Sequence, residues 1–155
     1  MIGLHVVNNK VINRSVANNG LYFVQKYLNI EAEAKISSEF EYQYANFNKK
    51  VNTLCVFISQ SGETIDTISA MNHVKKAGQK CLSILNSANS TMESMSDYVL
   101  HCNCGKEIGV AATKTFTAQT LIGLMLVLKI GRDKKLINMA ESIAHMSTIQ
   151  ALPKQ

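Results

Sequence analysis

The chain has 155 residues, of which 46% are hydrophobic and 17% are charged, and it carries a formal net charge of +5. This length fits one domain with a sizeable core, and this composition excludes a disordered chain. With one proline and eight glycines, there is no Pro-rich or Gly-rich linker, and no internal repeat is visible. The positive charge suits an acidic small molecule, nucleic acid or an anionic surface.

The sequence does not predict a membrane protein or a secreted one. The longest apolar run, Leu121–Leu128, is far short of the roughly 20 residues that a transmembrane helix needs. The N-terminus shows no basic region followed by an apolar stretch. The four cysteines have no spacing typical of a disulfide framework. We therefore expect a cytoplasmic protein with no membrane contact.

The first third of the chain has weak and mixed patterns. Ile2–Val7 resembles a strand, but the polar stretch after it has no assignable pattern, so an irregular segment is expected over residues 1–20. Apolar residues at helical spacing over Leu21–Leu28 predict a helix, and the alternation over 31–36 predicts a strand with one solvated face. The letters SSEF then predict a short helix with Ser38 as its N-cap.

The centre of the chain has the clearest pattern. The continuous apolar run TLCVFIS (53–59) is typical of a strand that is covered on both faces in a parallel sheet. Apolar residues at helical spacing from Ile65 onwards predict a helix that ends at Gly78. The runs CLSILN (81–86) and DYVLHC (97–102) predict two further strands.

Two helices are predicted after the last strand. Thr113–Ile130 is strongly apolar and should end at Gly131, whereas Lys134–Leu152 is amphipathic. Positive charge is favoured at helix C-termini, so a solvated helix end is expected at Lys129, Arg132, Lys134 and Lys135. Alternating strands and helices predict a three-layer α/β/α sandwich with a mainly parallel sheet. The helix Thr113–Ile130 is apolar enough to leave exposed apolar surface, which favours association with another domain.

The letters HCNC (101–104) raise the question of a metal site. Structural zinc sites usually combine two ligand pairs, and here a single C-x-C stands without a second pair. We expect instead the end of a strand with small buried thiols, and no metal. The other histidines, His5, His73 and His145, stand apart and predict no catalytic group.

The polar turn after the central strand is the best candidate for a ligand site. In parallel α/β sheets, ligands bind beyond the carboxyl ends of the strands, where helix N-termini present free N–H groups and a partial positive charge. The hydroxyls of Ser59, Ser61 and Thr64 can donate to phosphate oxygens there, and Gly62 lets the backbone approach closely. Charge-assisted hydrogen bonds contribute about 1.5–3 kcal/mol each, so three or four can hold a phosphate without a lysine.

Three further points concern the ligand expected at this turn. The chain contains no G-x-x-x-x-G-K-[ST] segment, which argues against a nucleotide-binding P-loop. A simpler alternative is that Ser61 or Thr64 only caps the helix. Glu63 would repel a phosphate that it faced, so we expect it to point away.

Two segments carry a resemblance to a known family. SQSGETIDT (59–67) and KEIGVAATKTFTAQ (106–119) closely resemble the paired motifs of the first sugar-isomerase (SIS) domain of glutamine–fructose-6-phosphate aminotransferases, which make glucosamine 6-phosphate. SSEFEYQ and IQALPKQ match the flanking segments. The resemblance runs from about Leu21 to the C-terminus. It implies a flavodoxin-like SIS domain over 21–132 and a C-terminal linker helix over 133–155.

The resemblance also implies a ligand and a set of contacts. Ser59, Gln60, Ser61 and Thr64 would hold the phosphate group, and Val110 would contribute a backbone contact to the sugar. The expected ligand is a hexose phosphate, namely fructose 6-phosphate, glucose 6-phosphate or glucosamine 6-phosphate. No cofactor is implied. SIS domains of this family pair with one another, so a homodimer or pairing with another SIS domain is expected.

The chain departs from the family pattern at two places. The G-T-S turn after the first strand is missing, although Ser15 could stand in for its serine. The second motif usually reads A-S-T-K, and Ala112 replaces that serine. The glutaminase domain and the second SIS domain, which carry the catalytic groups, are absent from the 155 residues. No catalytic residue is therefore expected, and Glu107 is expected to have a structural role near a turn.

Two hypotheses follow. The chain is either a binding module or truncated remnant that holds a phosphosugar without chemistry, or part of an active aminotransferase whose other domains lie elsewhere. The start at Met1, directly before the altered first motif, favours a shortened gene product. Nucleic-acid binding is a weaker third hypothesis, because no aromatic platform or recognisable motif supports it.

Overall fold

The computed structural model describes residues 2–8, 11–43, 52–108 and 112–151. Within these ranges the strands are β1 (Ile2–Asn8), β2 (Ala32–Ile36), β3 (Asn52–Ser59), β4 (Lys80–Leu85) and β5 (Tyr98–His101). The helices are α1 (Val11–Leu28), α2 (Ser37–Gln43), α3 (Ile65–Lys76), α4 (Thr91–Met95), α5 (Lys114–Asp133) and α6 (Met139–Gln150).

The strands form one sheet in the order β2-β1-β3-β4-β5, and every neighbouring pair is parallel. β3 lies in the middle, as its continuous apolar run predicts. The strands from β1 to β2 are added on one side of the sheet, and those from β3 to β5 on the other. The switch point therefore lies between β1 and β3, and ligands of open α/β sheets bind outside the carboxyl ends of the strands at such a point.

Helices cover both faces of the sheet, which confirms the predicted three-layer sandwich. Side chains alternate along a strand, so Val56 and Ile58 pack with α1 and α5 on one face. Cys55 and Phe57 pack on the other face with α2, α3 and α4. The two cores are thus separated by the sheet, and α6 packs outside α5.

The N-terminal segment is more regular than expected. Residues 1–20 contain β1, which agrees with the strand-like pattern of Ile2–Val7, and the first ten of the 18 residues of α1. The expected irregular segment is therefore wrong for the described residues. The part of α1 before Leu21 was missed because only a narrow stripe of this helix is apolar: Val16 and Val24 are 2% and 1% exposed, while Asn18 between them faces solvent.

The end of α5 also differs from its prediction. The helix continues through Gly131 and ends at Asp133. A Cβ atom on Gly131 would lie 2.4 Å from Cδ1 of Ile137, so this glycine permits close packing and does not end the helix. The four predicted cations around the helix end are all exposed, as expected.

Two helix starts are shifted. α6 begins at Met139, not at Lys134, because the Asn138 side chain accepts a hydrogen bond from the Glu141 amide at 2.8 Å and caps the helix there. α2 begins at Ser37, so Ser38 is already helical and is not the N-cap. In contrast, α3 ends at Lys76, and Gly78 follows with a φ of +76°, as predicted for a C-terminal glycine.

The cysteines are all free thiols. Burial raises the pKa of Cys55 and of Cys81 to about 12 in the strands where they were predicted. Cys102 directly follows β5, packs against the core, and has a pKa that burial raises to about 12, which agrees with the expectation of a buried thiol at a strand end. Cys104 is partly accessible, so the expectation is wrong for that residue. In the described part of the chain, no helix is long and apolar enough to cross a membrane.

Candidate functional site

The turn between β3 and α3 is held by hydrogen bonds to its own hydroxyls. Oγ of Ser59 accepts a bond from the Gly62 amide at 3.0 Å, and Oγ of Ser61 accepts one from the Glu63 amide at 3.3 Å. Ser59 is 2% exposed, whereas Gln60, Ser61 and Thr64 are partly accessible. Ser59 therefore shapes the turn, and the other three side chains can reach a ligand.

Gly62 is required by both its conformation and its surroundings. Its φ of +72° lies in the left-handed region that glycine adopts without strain. A Cβ atom there would lie 2.2 Å from Oγ of Ser90, and the Gly62 carbonyl accepts a bond from the Met92 amide at 3.1 Å. The turn is thus packed directly against the start of α4.

The N-cap residue of α3 does not close the helix start with its side chain. Thr64 is the N-cap residue, with φ −74° and ψ 115°, and its hydroxyl makes no capping hydrogen bond. Ser61 bonds to the Glu63 amide, which precedes the helix. The alternative in which these hydroxyls only cap α3 therefore does not describe the structure.

Glu63 is engaged at a different helix. Its Oε1 accepts a hydrogen bond from the Thr91 amide at 2.7 Å, at the start of α4. This bond lowers the pKa of the Glu63 carboxyl below its ordinary value. The carboxylate is therefore used to join the turn to α4, in agreement with the expectation that it does not face an anion at α3.

Asn86, directly after β4, joins the turn at 59–64 to the segment just before the second motif and was not predicted. The backbone N–H groups of Asn86 and Ser87 donate to the Gln60 carbonyl at 3.2 and 3.0 Å. The side chain of Asn86 donates to the Gly105 carbonyl at 2.8 Å and accepts from the Cys104 amide at 3.2 Å. The polar letter that ends CLSILN, at the carboxyl edge of the sheet, is the sequence signal that could have indicated it.

The first residues of the second motif are bonded to the start of α5, which the same motif contains. Oε2 of Glu107 accepts bonds from the Thr115 amide at 3.2 Å and from the Thr115 hydroxyl at 2.7 Å. These bonds to Thr115 hold the pKa of Glu107 below its ordinary value. Nζ of Lys114 donates to the Lys106 carbonyl at 2.7 Å. Glu107 therefore has the structural role that was expected near this turn.

Some predicted features lie outside the described residues. These include Val110 and its expected approach to the turn at 59–64, as well as residues 9 and 10 after β1. Ser15, the suggested replacement for the missing serine, lies on α1. Among the described residues, no group of three or more His, Cys, Asp and Glu side chains is placed to hold a metal ion. His101 contacts Oε1 of Glu93 at 3.1 Å.

The fold and the site together define a class of protein. A parallel sheet in the order 2-1-3-4-5 carries a small polar turn at the carboxyl end of its central strand, next to the switch point. The family model described as the SIS domain matches residues 12–129. The chain therefore belongs to the SIS domain family.

Similar proteins include aminotransferases. A glutamine–fructose-6-phosphate aminotransferase (isomerizing) of Thermotoga maritima is 43% identical over 109 residues, which is 70% of this chain and 18% of that protein. The enzyme of the same name from Fusobacterium nucleatum is 38% identical over 133 residues, or 86% of this chain and 22% of that protein. The chain thus spans about a fifth of the length of these curated relatives.

A solved structure has the same fold. The C-terminal domain of glucosamine-fructose-6-phosphate aminotransferase from Francisella tularensis superposes with a TM-score of 0.87 and 29% identity. The match covers 96% of this chain and 41% of that chain.

Proposed function

We propose that this chain binds a hexose 6-phosphate at the start of α3. The observation that supports this most is the Thr64 position: the helix begins beyond the carboxyl end of the central strand, and the Thr64 hydroxyl makes no capping bond. A helix start favours a bound anion, because its first N–H groups have no partner within the helix and carry partial positive charge. Membership in the SIS family makes a sugar phosphate the fitting anion.

The proposed contacts differ in kind. The Ser61 and Thr64 hydroxyls and the Gln60 amide donate to the phosphate group, while Ser59 mainly keeps the turn in shape from its buried position. Val110 contributes a backbone contact to the sugar, a role that rests on the family resemblance. The ligand is fructose 6-phosphate, glucose 6-phosphate or glucosamine 6-phosphate.

The proposed activity is binding without catalysis. An alternative is that the chain forms part of an active aminotransferase and isomerase in amino-sugar synthesis, with the glutaminase and second SIS domains elsewhere. The names of the relatives support this alternative, since the chain matches only 22% of the length of one of them. We expect the pure chain to make no glucosamine 6-phosphate from fructose 6-phosphate and glutamine. Detectable product would contradict this.

The binding proposal is tested by calorimetric titration with the three sugar phosphates and inorganic phosphate. Thr64→Ala should weaken sugar-phosphate affinity about tenfold or more, because a charge-assisted hydrogen bond contributes about 1.5–3 kcal/mol. Thr148→Ala is the matched control, since Thr148 is exposed on α6 and bonds only to the Ala144 carbonyl. No heat from any ligand, or equal affinity in Thr64→Ala and the unaltered chain, would refute the proposal.

Two further proposals concern the setting of the site. The domain pairs with a second copy or with another SIS domain, and light scattering at several concentrations would reject self-pairing if the mass stays that of one chain. The protein works in the cytoplasm, and its four free cysteines support a reducing compartment.

A further inference from the structure

A small cavity lies between the sheet and two helices, away from the turn at 59–64. Its volume is about 30 Å³. Its lining is almost wholly apolar and includes Val24 from α1, Ile58 from β3 and Val127 from α5. The space exists because two glycines also line it. A Cβ atom added to Gly20 or to Gly123 would meet nothing within 4 Å.

One polar side chain lines this apolar cavity. Gln119 on α5 is 1% exposed, and its Nε2 has no hydrogen-bond partner among the residues that the structure describes. A buried amide left without a partner costs roughly 1–3 kcal/mol, so such groups nearly always bind protein atoms or ordered water. The neighbouring cavity, which Gln119 lines, offers a place for the missing partner.

The volume of the cavity suits one water molecule as the partner of the Gln119 amide. A cavity needs about 10–15 Å³ to hold one water molecule, whose share of liquid volume is about 30 Å³. A water needs two to four polar partners, and Gln119 supplies only one. The bare helix backbone at Gly20 and Gly123 can supply the others, because a helical carbonyl keeps a second lone pair after its helical bond.

We infer that one water molecule occupies this cavity as a structural ligand of Gln119. The Gln119 amide donates to the water oxygen, and the water donates to backbone carbonyls of α1 and α5. The water thereby joins the two helices where their side chains leave a gap. It completes the hydrogen bonding of a residue that an apolar environment would otherwise disfavour.

The inference is tested by water–protein cross-relaxation in the full ¹⁵N-labelled chain, with side-chain amides assigned in the unaltered protein. The Gln119 amide should show a rotating-frame cross-peak to water with the sign of dipolar contact, not of proton exchange. Gln25 is the internal control, because it is exposed on α1 and should show no long-lived water. A Gln119 amide that behaves like that of Gln25 would overturn the inference.

Xenon gives a second readout that does not depend on a variant folding. Xenon enters dry apolar cavities, so crystals of the unaltered chain under xenon pressure should show none between α1 and α5. Gln119→Leu should remove the amide, lose the water and accept xenon at that place. Xenon in the unaltered cavity would show that it is dry and would refute the proposal. The outcome does not depend on sugar-phosphate binding, since no residue of the turn at 59–64 lines the cavity.

Discussion

The starts of α3 and α5 follow strands of the same sheet but are treated in opposite ways. At α5, the chain supplies its own anion: the Glu107 carboxylate accepts bonds from both the amide and the hydroxyl of Thr115. At α3, Thr64 makes no capping bond, and Glu63 is directed to the Thr91 amide. Both helix starts favour negative charge, and the proposed binding of an external anion at α3 rests on this difference.

The open helix start is also the one that is supported from outside. Asn86, Ser87 and Met92 all donate backbone hydrogen bonds to carbonyls of the turn before α3. A turn held in this way keeps its shape without a ligand, so little ordering cost remains when an anion binds.

The largest effect is expected from Gly62→Ala, which should destabilise the fold by about 2–4 kcal/mol and abolish sugar-phosphate binding. The added methyl group would collide with Ser90, whose Oγ would lie 2.2 Å away. Gly78→Ala is the matched control, because Gly78 has a φ of +76° but no neighbour within 4 Å of its added Cβ. Urea unfolding measures both variants. Equal losses would show that the contact with Ser90 does not matter.

A crossed pattern is expected from Thr64→Ala and Glu107→Ala. Thr64→Ala should change the free energy of unfolding by less than about 0.5 kcal/mol, because no capping bond is lost, yet weaken binding. Glu107→Ala should lower the unfolding midpoint and leave sugar-phosphate affinity nearly unchanged, with Glu107→Gln showing a smaller loss. Calorimetry and urea unfolding of the same samples test this. If both variants lost affinity to the same extent, or both lost stability to the same extent, the distinction between the two helix starts would be refuted.

Binding and folding should also respond to acid in separate windows. A phosphate monoester loses one charge as pH falls through about 6, so affinity should decline there. The pKa of Glu107 lies below its ordinary 4.5, mainly through its bond to Thr115, and that of Asp97 lies below 3.8, mainly through its bond to Lys80. A lowered folded-state pKa means that these groups stabilise the fold above those ordinary values and lose this effect as pH falls below them.

The acid prediction is checked by titrating affinity and the unfolding midpoint over the same range of pH. Affinity should fall first, near pH 6, while the unfolding midpoint changes only in more acidic solution. A loss of both in one step near pH 6 would indicate that binding depends on folding and not on the charge of the ligand.

The smallest effect is expected from Ala112→Ser, which restores the hydroxyl of the usual A-S-T-K motif. One neutral hydrogen bond contributes about 0.5–1.5 kcal/mol, so sugar-phosphate affinity should rise by roughly twofold to tenfold. Ala118→Ser, further along α5, serves as the control. Unchanged affinity in Ala112→Ser would mean that the α5 side of the site makes no contact with the sugar.

The strands and the polar turn at 59–64 were predictable because the sequence patterns that mark them are local. A continuous apolar run marks β3, a glycine marks the end of α3, and small polar residues mark the turn between them. The part of α1 before Leu21 was not predictable, because Val16, Gly20 and Val24 form a stripe that is meaningful only against α5. Gly131 was misread because close packing and helix termination both select glycine, and only the contact with Ile137 distinguishes them.

The sequence by itself determined the alternation of strands and helices and the chemical character of the turn, since both depend on neighbours along the chain. Only the tertiary structure decided which helix start stays open. That choice depends on Glu107, Glu63 and Asn86, whose partners at Thr115, Thr91 and Gln60 are 8, 28 and 26 residues away. No local pattern specifies such a pairing, because it arises when parallel strands bring their carboxyl ends to one edge.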